Sequence, residues 1–211
     1  MSKGYFVFAQ GKEYIRMAYA LALSIKNTQT INSVCVAVNE KDTVPTEYKK
    51  VFDHVVRVRN VGLKDPMANE WQIWDLTPYK ETIHVEADML FTSNIDWWWE
   101  DLQAHDIFFT SKVYDYRGHI AKSNFYRKHF DKMNLPKLYN GLYYFRYTET
   151  ANKFFKKAKE VSARYKHYAE YFFAGSYFPK VATTDEIFGM TAWLLDMEDQ
   201  VFHTNYAIPY F

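Results

Sequence analysis

Short apolar runs alternating with amphipathic stretches constrain this chain more than any other feature of its sequence. Tyr5–Ala9 (YFVFA) is rich in β-formers and is broken by Gln10-Gly11-Lys12, so it reads as a first strand with a loop at its end. Tyr14–Ile25 then sets Ile15, Ala18, Leu21, Ala22 and Ile25 at helical spacing, with Asn27 and Thr28 closing the turn. Val34–Val38 (VCVAV) is a second strand ending at Asn39-Glu40, Pro45 opens a short helix, and Val55, Val56 and Val58 mark a third strand. Strands that are apolar along their whole length must be covered on both faces. The expected fold class is therefore α/β, a mostly parallel sheet sandwiched by helices. Ligands of such sheets sit beyond the carboxyl ends of the strands. The loops to watch are Ala9–Lys12, Asn39–Asp42, the segment after Val58, and the segment that holds Glu86 and Asp88.

That last segment, HVEADMLF within TIHVEADMLFTSNI, reads as a buried strand running out into a loop at Thr92 and Ser93. Its two carboxylates, Glu86 and Asp88, need a partner, a proton or a metal, because unpaired buried charge is costly. On a strand, residues two apart share a face, which lets both acids reach one cation.

The remainder continues the α/β theme. Asn69–Leu76 reads as a helix leading into the acidic strand, and NIDWWWEDL carries three successive tryptophans that cannot share one helical face. Asp106–Ser111 is a further strand, and Lys112–Leu135 is polar, aromatic and irregular, suited to an acceptor-side loop. LYNGLYYF alternates around Asn140-Gly141 and runs into a polar helix over Glu149–Tyr165. TTDE at Thr183–Glu186 starts another helix, with Thr184 or Asp185 as its cap. The ending QVFHTNYAIPYF has no terminating tail, and the expectation is a single domain over 1–211 that stops short of its natural C-terminus.

Lys plus Arg number 26 against 25 Asp plus Glu, so no overall field draws the chain to nucleic acid or an anionic membrane; no nucleic-acid partner is expected. Cys35 is the single cysteine and excludes an intramolecular disulfide; within VCVAV it reads as a buried core thiol. With no signal-type N-terminus and no run long enough to span a bilayer, the expectation is a soluble, cytoplasmic protein without a transmembrane segment. Aromatics reach 19%, a content that suits stacking on sugars and bases as well as core packing, so composition alone does not choose between them.

Taken in order, these pieces resemble the GT-A glycosyltransferases, the nucleotide-sugar-dependent sugar transferases, and among them the family 8 type. The resemblance is anchored on VEADMLF followed by NIDWWWEDL, similar to that family's strand ending in an Asp-x-Asp motif. It is supported by the first-strand loop at Ala9-Gln10, by LYNGLYYFR before a long helix, by the TTDE helix start, and by His203 near the end. It implies a GT-A, Rossmann-like sheet and transfer of a hexose from a nucleotide sugar, a UDP-sugar, to an acceptor glycan, protein or small molecule. It also implies Mn²⁺ or Mg²⁺ held by Glu86, Asp88 and His203, for hard oxygen ligands suit either ion and an imidazole favours Mn²⁺. The motif stands here as Glu-Ala-Asp, so Asp88 is the ligand closest to the family pattern.

By the same resemblance Ala9, Gln10 and Tyr14 line the nucleotide pocket, Glu86, Ala87 and Asp88 border the diphosphate, and Asn69 and Gln72 face the donor sugar or ribose. Asn140 and Gly141 edge the acceptor site, and Asp185 with Glu186 corresponds to the family's Asp-Gln pair beside the reacting sugar. Glu186 in place of Gln suits a general base on an acceptor hydroxyl, giving inversion, whereas the resemblance implies retention. Structural roles stand beside the functional ones: a salt bridge or cap for Asp88, a helix cap for Asp185, packing for Tyr14, a satisfied surface or core position for His203, and solvated charge for Lys12, Arg16 and Lys112, which are otherwise candidate diphosphate partners. The two Glu substitutions also allow a catalytically inactive relative that binds a nucleotide sugar or serves as a scaffold. A nucleotidyltransferase is the third possibility, and only Gly11-Lys12 resembles its Gly-rich phosphate loop.

Overall fold

In the computed structural model, which describes residues 2–60, 66–110, 117, 119, 130, 134–136, 138–173 and 182–201, six strands form one sheet. They are β1 (Lys3–Phe8), β2 (Val34–Asn39), β3 (His54–Val58), β4 (Glu81–Val85), β5 (Ile107–Thr110) and β6 (Tyr139–Arg146), in spatial order β3-β2-β1-β4-β6-β5. β1 to β4 run parallel, while β6 is inserted antiparallel between β4 and β5. The chain leaves β1 towards β2 and β3 and later returns to β1's other side as β4. This reversal of strand order is a topological switch point, where such sheets open a crevice at the carboxyl edge.

Helix α1 (Lys12–Thr28) buries Ile15, Ala18, Leu21, Ala22 and Ile25, the face its sequence spacing specifies. It covers one side of the sheet, packing in a core with Tyr5, Val7, Val34, Val36, Ile83 and Trp99. The other side is covered by α5 (Glu149–Ala163), α6 (Tyr165–Phe173) and α7 (Thr184–Leu194), with Phe6, Phe109, Tyr143, Phe145, Phe154 and Phe188 between the layers. Short helices α2 (Thr46–Lys49), α3 (Ile73–Leu76), α4 (Trp98–Leu102) and α8 (Glu198–Val201) complete the described elements. Much of the aromatic content is core. Of the three tryptophans at the start of α4, Trp98 and Trp99 are buried and Trp97 is 57% exposed. Cys35 is buried, and burial pushes its thiol far up.

Three sequence expectations shift here. Asn69–Leu76 is not one helix, since Pro66–Gln72 winds as a 3-10 turn before the single α-turn of α3. The helix expected over Glu149–Tyr165 is interrupted at Arg164, where α5 ends and α6 begins. The cap of α7 is neither Thr184 nor Asp185 but Thr183, whose hydroxyl accepts from the Glu186 backbone while the Glu186 carboxylate accepts from the Thr183 backbone. The Thr-x-x-Glu spacing of a capping box counts from Thr183, and that reciprocal pairing decides the start.

The loops at the carboxyl edge are tied together. Asp42 Oδ2 accepts from the backbone N–H groups of Gly11 (2.8 Å) and Asn39 (3.2 Å), and Arg57 donates to the carbonyls of Asn39 and Asp42. Gly11, which enters α1, has φ 101° and ψ 159°, a backbone region essentially confined to glycine. A methyl group there would meet nothing within 4 Å, so Gly11→Ala isolates backbone strain. We expect this change to lower unfolding free energy by about 1–3 kcal/mol in urea denaturation; a loss within error of zero would show that the loop relaxes freely.

Candidate active site

β4 stops earlier than the sequence suggests. Its last residue is Val85, Glu86 donates its N–H to the Gly141 carbonyl at 3.1 Å, and Ala87-Asp88 turn away, with the Met89 N–H returning to the Glu86 carbonyl. The two acids therefore do not share a strand face. Glu86 is half-buried, whereas Asp88 is exposed and makes no hydrogen bond or ion pair among the described residues. Because β6 is antiparallel, its beginning lies at the carboxyl edge of β4, and this brings Asn140 and Gly141 beside Glu86.

Behind this edge lies an acid the sequence reading did not single out. Glu70, from the 3-10 turn, is 6% exposed and accepts from Asn140 Nδ2 at 2.6 Å. Burial pushes its carboxyl up to about 8; hydrogen bonds from Asn140 and Thr184 oppose the rise, and the charges of Glu86 and Asp185 add to it. The clue in the sequence was an acid placed in the apolar stretch Trp71-Gln72-Ile73-Trp74, but nothing local names its partner, which lies on β6. The same neighbourhood holds the buried Tyr143 side chain, on whose hydroxyl the Glu70 charge acts.

Asp185 and Glu186, in the first turn of α7, are both buried, but they face different neighbours. Asp185 acts electrostatically on Glu70 and Glu186. Glu186 is turned to Thr183 and accepts from the Tyr165 hydroxyl at 2.6 Å; burial pushes it up to about 7, with the Tyr165 bond holding it down and Asp185 adding to the rise. Its carboxylate thus serves the helix cap and the α6–α7 junction.

The other expected site residues divide. Ala9 and Gln10 follow β1 at the carboxyl edge, Ala9 buried and Gln10 half-buried; Tyr14, in the first turn of α1, is 54% exposed. Asn69 and Gln72 do stand one turn apart, their amides 3.4 Å from each other. Gln72, however, clasps the backbone of Arg59 through both amide atoms, at 2.7 and 3.1 Å, which is a brace between β3 and the 3-10 turn. The space over Gly141 is filled by the Tyr139 ring, so the missing side chain there serves packing against that ring. Lys12 is exposed, and Arg16 pairs with Glu13 at 2.8 Å on the surface of α1. His203 and Lys112 lie outside the described residues, as does most of the segment between Lys112 and Leu135.

A six-stranded sheet in this order, with helices on both faces and an acidic edge at the switch point, can be compared with solved structures. The crystal structure of mouse Xyloside xylosyltransferase 1 in its apo form matches with a TM-score of 0.59 over 97% of this chain and 85% of that one, at 9% identity. The fold is that of the GT-A glycosyltransferases. No family model matches the chain, and no curated protein matches it by sequence. Among the described residues, no helix is long and apolar enough to cross a membrane.

The described residues also bear on whether a divalent ion fits. No group of three or more His, Cys, Asp or Glu side chains forms a ready-made metal cage among them. Asp88 instead offers an exposed carboxylate with no hydrogen bond or ion pair among the described residues, with Glu86 two residues before it. A divalent ion taken by one or two carboxylates and completed by water and substrate phosphates suits such a donor set. Asp88 and Glu86 could hold a divalent ion from one side, leaving the rest of its shell to other ligands.

Proposed function

We propose that this protein is a metal-dependent glycosyltransferase that moves a hexose from a nucleotide sugar, a UDP-sugar, to an acceptor glycan, protein or small molecule. One observation supports this reading above the others: Glu86, Asp88, Asn140 and Asp185, from three separate segments, are gathered around the carboxyl edge of a GT-A sheet at its switch point. Asp88, with Glu86, would hold Mn²⁺ or Mg²⁺, which when bound supplies positive charge against the diphosphate oxygens. Ala9, Gln10 and Tyr14 border the nucleotide, with Tyr14 offering an exposed ring for a base. Asp185 is the carboxylate assigned to the reacting sugar, where negative charge stabilises an oxocarbenium-like carbon as the bond to the leaving diphosphate breaks. Glu186 is assigned to holding α7 and, through it, Asp185 in place.

The test is thermal unfolding of the protein with UDP and Mn²⁺. A nucleotide at about one hundred times its Kd should stabilise the fold by about 2.7 kcal/mol. Asp88→Ala should remove the effect while leaving the unliganded midpoint near that of the parent, because Asp88 is exposed and makes no protein bond among the described residues. No shift with any nucleoside diphosphate would sink the reading.

A further inference from the structure

The near-balance of charge over the whole chain conceals a segregated surface on α5 and α6. Residues 149–173 carry six Lys or Arg against three Glu, a net of +3 where the whole chain has +1. α5 turns Phe154, Phe155, Ala158 and Val161 to the core, which leaves Lys153, Lys156 and Lys159 as an exposed row at i, i+3 spacing. α6 carries the face on. Lys166 is exposed, and Arg164 at the junction lies over the Tyr168 ring, whose hydroxyl donates to Glu160 of α5 at 2.6 Å. The acids offset part of this charge: Glu160 pairs with Lys157 at 2.6 Å and Arg164 at 3.8 Å, and Glu170 lies 3.9 Å from Lys166. One turn past Tyr168 the surface becomes aromatic. Tyr171 is 67% exposed, and the half-buried Phe172 stands edge-on to it at 5.2 Å and edge-on to Trp193 of α7 at 5.1 Å. The exposed acids Asp196 and Asp199 follow Trp193 in the chain, so the lysine row and not this end supplies positive charge.

We infer that the outer face of α5 and α6 is a docking surface for an anionic lipid bilayer, with the lysine row against the headgroups and Tyr171, Phe172 and Trp193 at the boundary between headgroups and acyl chains. Charge complementarity carries the attraction, at about fivefold in affinity for each Lys or Arg brought to such a surface. Aromatic side chains with an apolar body and a polar tip suit the interfacial layer itself. Nucleic acid fits this face less well. It is served by rings presented for base stacking along a groove, whereas these rings pack against one another's edges on the outside of two covering helices. The inference is independent of the nucleotide-sugar reading, although the face reaches the candidate site: Lys159 lies over the Trp71 ring at 5.4 Å, and Tyr165 at the start of α6 holds Glu186.

Co-sedimentation of the full chain with vesicles, without divalent ions, tests this. Vesicles of phosphatidylcholine and phosphatidylserine at a ratio of about 2:1 should take up the protein, and vesicles of phosphatidylcholine alone should take up about tenfold less or lower still. Raising salt from about 0.1 M to about 1 M, which shortens the screening length from about 10 to about 3 Å, should release it. The triple variant Lys153→Gln, Lys156→Gln, Lys166→Gln should partition roughly a hundredfold more weakly, as the loss of three such cations requires. Tyr171→Ser should weaken partition while leaving its salt dependence in place. A control triple, Lys41→Gln, Lys49→Gln, Lys50→Gln, removes equal charge from exposed positions around α2, whose Tyr48 packs with the core on the α1 side of the sheet, and should partition as the parent does. Should the first triple fail to fold, Lys153→Gln and Lys156→Gln taken singly carry the test, each with a loss of about fivefold. The inference is overturned if the parent ignores the phosphatidylserine vesicles, if it binds both vesicle types alike, if the control triple loses as much as the first, or if the parent binds a polyuridylate RNA and no vesicle.

Discussion

Phe188→Ala is expected to lower the unfolding free energy by about 3–5 kcal/mol, the range for removing a buried aromatic ring from a core that relaxes only in part. Phe188 is fully buried on α7, and its ring lies 5.5 Å from Phe109 on β5, 5.8 Å from Tyr143 on β6, and 5.4 and 6.0 Å from Phe154 and Phe155 on α5 (centroid to centroid). One side chain therefore joins the antiparallel edge of the sheet to two covering helices. Its loss would leave a cavity lined by rigid rings, which collapse poorly. Urea denaturation measures the effect, and Phe188→Leu should recover a substantial part of it. A loss under about 1 kcal/mol would mean that the rings close over the gap, contrary to the packing described. Because Phe188 lies three residues from Asp185 on the same helix, stabilisation by UDP and Mn²⁺ should weaken in the same variant.

Glu186→Gln should become steadily more favourable, relative to the parent, as pH rises. The carboxyl is held at about 7 in the folded protein against 4.5 as its ordinary value, with burial as the main cause. A group raised in this way contributes its full stability below the unfolded value and loses it as pH climbs through the folded one. Over the window from 4.5 to 7 the parent therefore gives up about 2–3 kcal/mol that the variant does not. Comparing the two proteins at each pH removes the other titrating groups, among them Glu70, which moves in the same direction, and His84, whose imidazole burial pushes down to about 3. A pH-independent difference would show that Glu186 is ionised in the fold. The amide should preserve the Tyr165 bond, since that hydroxyl donates and needs only an acceptor.

Local periodicity was enough to find α1 and its buried face, and uninterrupted apolar runs were enough to find β1 and β2, because these patterns answer to covering layers on each side of the sheet. What it could not supply was position across distance. The end of β4 at Val85 depends on Gly141, whose carbonyl takes the Glu86 N–H, and the first-turn acids of α7 are told apart by Tyr165, which holds Glu186. The spacing of Asn69 and Gln72 was legible as one turn, but the bonds of the Gln72 amide to the backbone of Arg59 were not. Glu70 is the clearest case, since its burial is offset by a hydrogen bond from Asn140, seventy residues later. Residue type was legible at all these places, and the partner that decides its role was not.

The antiparallel insertion of β6 also sets the order in which this protein can mature. Glu70, Glu86, Asn140 and Asp185 span more than half of the chain, and Asn140 reaches its neighbours only once β6 has slotted between β4 and β5. Closing such separations is slow compared with forming α1 or pairing β1 with β2. During synthesis from the N-terminus, the first three strands and α1 can assemble while the acidic edge is still incomplete. Competence to take a ligand would then arrive late and in one step, so protection of the fold by nucleotide during refolding should report docking of β6 rather than collapse of the parallel half.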